Sequence, residues 1–152
     1  MIGAMALKLE VRQGFAMMNR KDLVWLMRGW AKDAVLEFPG KTPISGRYEG
    51  KPAVEAFFRR MFDRMATIHF TVRRIVVAHP FALGLTNTVL IEWAADEVSH
   101  DGISIHVEGV TVSDVRRGRN VASREYIFDP DLLERMWGRR EIAEATPAVA
   151  VS

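Results

Sequence analysis

Cysteine is absent from the chain. Disulfides, thiolate nucleophiles and thiolate metal ligands are therefore excluded, and a reducing compartment is compatible with the absence without being required by it. A surplus of charge of one sign is lacking too: 21 Lys and Arg stand against 19 Asp and Glu, a formal net charge of +2. So small an excess does not make the basic face that nucleic acid needs. Arg59-Arg60, Arg73-Arg74 and the trio Arg116, Arg117 and Arg119 lack aromatic stacking platforms beside them, and read as solvated surface. No apolar run approaches the length that spans a bilayer. The opening residues MIGAMALKLEVRQ meet a charge at Lys8 before any apolar stretch of signal-peptide length. A soluble, cytoplasmic protein without membrane or nucleic-acid partners is the expectation. Gly-rich phosphate loops, HxH and HExxH spacings and nucleophile constellations are missing as well, so neither an organic cofactor nor a metal is expected.

What is present suits one domain with one core, at 152 residues. We place that domain at 1–140 and a flexible tail at 141–152, where small residues without periodicity accumulate. Leu7, Val11, Phe15 and Met18 recur at helical spacing. Asp22 is a natural N-cap for a second helix over LVWLMRGWAK, with Leu23, Leu26, Met27 and Trp30 on one face. Asp33 to Phe38 reads as a short strand stopped by Pro39-Gly40, and 41–50 as a loop over a pocket mouth. A third helix runs from Lys51 to Met65 with Val54, Phe57, Phe58, Met61 and Phe62 as its stripe. The period then changes to two. Ile68, Phe70, Val72 and Val76 define one face of a strand, Leu83 to Val98 is the next, and Asp131 to Arg140 suggests a last short helix. Helices grouped before strands argue an α+β fold: a cone-shaped, curved antiparallel sheet packed on three N-terminal helices, open at one end to a small molecule.

The richest stretch is Ile103 to Phe128, two β-branched arms joined at Arg117-Gly118. With those two as turn residues, Arg116 faces Arg119, and the pairing continues as Asp114–Val121, Val112–Ser123, Val110–Glu125 and Glu108–Ile127. One face then carries His106, Glu108, Val110, Val112, Ser123 and Glu125. Extension across Ser99–Gly102 sets Trp93 opposite Glu108 and Ala95 opposite His106. Glu125, desolvated by Trp93, Val110 and Val112, is the expected general base or acid, with Glu108 or His106 as its partner. Trp30, Phe38 and Trp93 are expected as aromatic walls, and Tyr48 as a loop residue closing over the ligand. One His and two Glu also form a ligand set, but without the spacing of a metal motif. The opposite face, with Ile103, Ile105, Val107, Tyr126, Leu90 and Ala94, is apolar enough to predict a homodimer.

The segments DLVWLMRGWAKDAVLEFPG, GRYEGKPAVEAFFRRMF and VRRGRNVASREYIFDP, in this order, resemble the SnoaL-like and ketosteroid-isomerase-like branch of the nuclear-transport-factor-two-like superfamily. The resemblance implies a cone-shaped α+β fold, usually dimeric, with an apolar pocket between sheet and helices. Its members include isomerases, polyketide cyclases, dehydratases, epoxide hydrolases and proteins without known chemistry. The isomerase's general-base aspartate falls on Phe38 and its oxyanion-donor tyrosine on Gly14, so that mechanism is not implied. The paired Arg and Asp of the limonene-epoxide-hydrolase pattern fall on Trp93 and Ala95, whereas its last-strand acid falls on Glu125. Two functions are expected in the alternative. One is an enzyme doing acid/base chemistry (isomerisation, cyclisation, dehydration or hydration) on a hydrophobic substrate. The other is a non-catalytic binding protein for an apolar metabolite.

Overall fold

The computed structural model describes residues 2–81 and 86–140; the tail expected at 141–152 and the first residues of the strand expected from Leu83 lie outside the described residues. Helix α1 (Ile2–Asn19) is followed by a single turn, α2 (Leu23–Leu26), and a 3₁₀ turn at Met27–Gly29. Asp22 does cap α2, its carboxylate accepting the Trp25 backbone N–H at 2.9 Å. The second helix is nonetheless shorter than its apolar spacing predicts. From Trp30 the backbone is claimed by strand β1 (Trp30–Phe38), because pairing with the last strand outweighs local helix propensity.

Strand β2 (Gly46–Glu49) lies inside the expected loop and pairs antiparallel with β1. Helix α3 (Lys51–Arg64) leads into β3 (Met65–Val77), β4 (Thr86–Ser99), β5 (Ser104–Arg116) and β6 (Arg119–Ile127), and α4 (Asp131–Trp137) closes the described chain. The sheet order is β2-β1-β6-β5-β4-β3, antiparallel throughout except that β1 runs parallel to β6. A register shift between Val72 and Arg74 turns Ile75, rather than Val76, toward the core.

The helices cover the concave face. Phe57, Phe58, Met61 and Phe62 of α3 are buried against Ala34, Leu36, Trp93 and Val107 of the sheet. Two polar side chains tie the edges. The Asn19 amide donates to the Phe70 carbonyl at 3.0 Å and accepts the Phe70 N–H at 2.6 Å, pairing the free edge of β3 as another strand would. The Lys21 ammonium donates to the carbonyl of Phe62 in the last turn of α3 and to those of Met65 and Ala66 at the start of β3.

Candidate functional site

The hairpin turns at Arg117-Gly118 as expected, both residues having positive φ (51° and 72°), the conformation of a two-residue hairpin turn. Arg116 pairs with Arg119 and Val115 with Asn120; then Asp114 pairs with Ala122, leaving Val121 as an extra residue on β6. Beyond this bulge Thr111, not Val110, stands opposite Glu125, and Gly109, not Glu108, opposite Ile127. The β4–β5 turn shifts the register by one again, so that Trp93 pairs with Gly109 and Ala95 with Val107. The two shifts compensate for β4 and β6 and reverse only β5. Trp93, Ser123 and Glu125 therefore share the concave face, as expected. His106, Glu108, Val110 and Val112 lie on the convex face, and Ile105 and Val107, expected outside, are buried inside.

A cavity of about 470 Å³ fills the cone. Its exposed rim is formed by Glu10, Gln13, Arg28 and Gly118. Trp30, Phe38 and Trp93 line it, as the sequence suggests. Phe38 packs on Phe57 (centroids 5.0 Å apart), Trp30 on Phe58 (5.6 Å) and Trp93 on Phe70 (5.3 Å). Tyr48, Val110 and Val112 are not among its walls. Tyr48 leans on Phe57 and donates its hydroxyl to the Ile44 carbonyl at 2.7 Å, so it holds the loop that delivers Ile44 to the cavity.

Within these apolar walls the polar groups form a track along β5 and β6. Farthest in on this track, the Trp93 indole N–H donates to Thr111 Oγ1 at 2.9 Å, and the Thr111 hydroxyl donates to Glu125 Oε2 at 2.6 Å. Gly109 makes the arrangement possible. A Cβ there would stand 2.5 Å from the Tyr126 carbonyl oxygen and 3.0 Å from Trp93 Cζ2, so the indole lies where a side chain would be. Burial pushes the Glu125 carboxyl up to about 7, and the Thr111 hydrogen bond opposes the shift only in part. Glu125 keeps some accessible surface and lines the cavity, where apolar walls replace water. Nearer the rim, Asn120 donates through Nδ2 to Ser123 Oγ at 2.7 Å, and the Ser113 and Ser123 hydroxyls are 2.8 Å apart. Asn120 Oδ1 is buried without a hydrogen-bond partner among the described residues.

Polar cavity groups that escape the sequence reading are Thr111 and Ser113, which the reversal of β5 brings inside, together with Asn120 and Glu97. Asn120 was hidden by the bulge that follows it. Glu97 lies at the inner end of β4 with 7% of its surface exposed, on the face of Val89, Ile91, Trp93 and Ala95. Strict alternation from Trp93 through Ala95 to Glu97 is the signal that marks it. Burial alone pushes its carboxyl up to about 7.

The convex face holds a different set. Glu108 is ion-paired with Arg73, and His106 meets Asp96 through Nδ1 at 2.7 Å and Glu108 through Nε2 at 3.4 Å. The Arg73 guanidinium and His106 hold Glu108 below the usual carboxylate range, while Asp96 and Glu108 raise His106. These exposed groups cannot reach a ligand in the cavity. The proposed partnership of Glu125 with Glu108 or His106 is thus not made. No group of three or more metal-ligating side chains occurs among the described residues, and no described helix is long and apolar enough to cross a membrane.

Comparison with known proteins agrees with this architecture. Bal32a, from a soil-derived mobile gene cassette, superposes with a TM-score of 0.75 at 20% identity, covering 88% of this chain and 98% of its own. A Bacillus subtilis protein provisionally named an isomerase gives 0.69 at 26% identity, with 88% and 94% covered. SalBIII, an epoxide hydrolase/cyclase-like enzyme of pyran ring formation in the polyether salinomycin, gives 0.67 at 16% identity, with 84% and 94% covered. Among curated proteins none matches in sequence. The SnoaL-like domain model matches residues 11–123, from the middle of α1 to the polar track on β6. Sequence match and superposition agree on the fold, and the match over residues 11–123 shows that the chain belongs to the SnoaL-like domain family.

Proposed function

We propose that this protein is a cytoplasmic small-molecule enzyme whose base is Glu125, acting on a hydrophobic, cyclic carbonyl compound. The observation that carries the reading is the desolvated carboxyl of Glu125, hydrogen-bonded to Thr111 and facing an apolar cavity. A carboxyl that titrates at about 7 is ionised often enough to take a proton and acidic enough to return it. Because His106 and Glu108 stand on the other face, one group must do both tasks. That favours proton transfer from one carbon to another, or ring closure through an enolate, over reactions that need a separate acid and base. Glu125 removes the proton α to the carbonyl, and the electron pair moves onto the carbonyl oxygen. The Ser123 hydroxyl and Asn120 amide, two steps nearer the rim, are placed to donate to that oxygen. The now neutral Glu125 then reprotonates a different carbon. Thr111, itself held by Trp93, fixes the carboxyl orientation.

The test is deuterium wash-in at the α-carbon of 2-tetralone in D₂O, followed by NMR. Wild type should exchange faster than buffer, with a rate rising to a plateau above pH 7; equal rates for wild type and Glu125→Gln would remove the assignment. A non-catalytic binding protein is the second reading, favoured by the absence of any titratable partner beside Glu125 among the described residues. It predicts ligand affinity without exchange. We also propose a homodimer through the convex face, where Val76, Leu90 and Tyr126 are exposed. A monomer in light scattering at micromolar concentration would remove that part.

A further inference from the structure

Glu97 occupies the end of the cavity opposite the rim, and the chemistry of Glu125 leaves it unused. Its β5 partner is Ile105, whereas that of Glu125 is Thr111; the interval along β5 is about 20 Å at ~3.3 Å per residue. The two carboxyls therefore stand well apart in one hollow, Glu97 at the end away from the rim and Glu125 between it and the rim. Its cross-strand partners, Ile68 on β3 and Ile105 on β5, are apolar, and Glu97 itself lines the hollow. No hydrogen bond or ion pair reaches the Glu97 carboxyl from the described residues, and burial is the only influence on its titration. Most buried carboxyls are retained with a partner that offsets their desolvation. Here the open side of the group faces the cavity.

We infer that Glu97 is a ligand-binding residue, which reads a hydrogen-bond donor, a hydroxyl or an ammonium group, on the far end of the apolar molecule that occupies the cavity. The inference rests on the reading of this cavity as a ligand site, and it deepens that reading by specifying the ligand: an elongated apolar body with a carbonyl toward Glu125 and a donor toward Glu97. A donor supplied by the ligand replaces the missing partner. A purely structural role has no counterpart here, since none of the described residues is held by this carboxyl.

The experiment is calorimetric binding of naphthalene, 2-naphthol and 2-naphthylmethylamine to wild type, Glu97→Leu, Glu97→Gln and Glu125→Gln. Wild type should bind one of the two donor-bearing probes at least about tenfold tighter than naphthalene, the effect of a hydrogen bond to a charged or acidic group. The probe that gains identifies the donor as hydroxyl or ammonium. Glu97→Leu should cancel the advantage without weakening naphthalene, Glu97→Gln should keep part of the hydroxyl advantage, and Glu125→Gln should keep it in full. An advantage that survives Glu97→Leu but disappears in Glu125→Gln overturns the inference and leaves the proton-transfer reading intact. Binding of none of the probes overturns both. Thermal melting supplies an independent readout: Glu97→Leu should melt no lower than wild type, and a clear drop means that the carboxyl supports the fold instead.

Discussion

Glu108 and Glu125 sit on adjacent strands of the same sheet and differ only in the face they occupy. On the convex side Glu108 has Arg73 and His106 beside it and water around it, and its carboxyl is held low. On the concave side Glu125 has one hydroxyl and apolar walls, and its carboxyl is pushed up to about 7. Identical side chains thus become a permanent surface charge and a carboxyl pushed up toward neutrality. The difference lies entirely in what surrounds each carboxyl.

The comparison breaks first on activity. Glu125→Gln should slow α-proton exchange by at least about 100-fold, the usual scale of general acid–base catalysis, while Glu108→Gln should stay within about twofold of wild type. Comparable losses in both would mean that the face does not decide the role.

The pH dependence of stability sharpens it next. Glu97 and Glu125 have folded pKa values raised above the unfolded one, from 4.5 to about 7. Below about 4.5 both are protonated in the folded and the unfolded chain. Between 4.5 and about 7 the unfolded chain releases these protons first, so stability falls as pH rises and levels off above 7. The loss is about 3 kcal/mol per group at most. His106, also raised, acts in the same direction, whereas Asp33, Asp101 and Glu108, all lowered, lose their contribution only as pH falls below the ordinary carboxylate range. Urea titrations from pH 4 to 8 should show a flatter curve for Glu97→Gln and Glu125→Gln than for wild type. Parallel curves would contradict the burial of both carboxyls.

A smaller effect is expected where the two faces meet. Gly109→Ala should destabilise by about 1–3 kcal/mol, because the new methyl group overlaps the Tyr126 carbonyl and the Trp93 ring. Displacement of the indole should also blue- or red-shift tryptophan emission and weaken exchange through Thr111. The smallest change is expected outside: Arg73→Ala breaks an exposed ion pair and should move the denaturation midpoint hardly at all.

Much of the fold was legible in the residues. The α3 stripe of Val54, Phe57, Phe58, Met61 and Phe62 is buried as its spacing demands, and Asp22 and Arg117-Gly118 perform the local duties their chemistry suits. Glu125 was legible as a concave-face acid because two register shifts compensate along the path from β4 to β6. Glu108 and His106 were misplaced because nothing in the local sequence announces that Val121 bulges. The apolar surface expected from Ile105 and Val107 had the same origin, and both residues are core.

The sequence by itself determined α1, α3 and the long strands, where the hairpin turns, and that a mixed α+β order results, though not the end of the second helix or strand β2. Those properties depend on contacts within a few residues. Which side of β5 faces the hollow was decided only by the tertiary structure. A strand's side chains alternate with period two, so one extra residue at a bulge inverts a whole face at little local cost, and only burial of Ile105, Val107 and Thr111 beneath the helices selects the register that is seen.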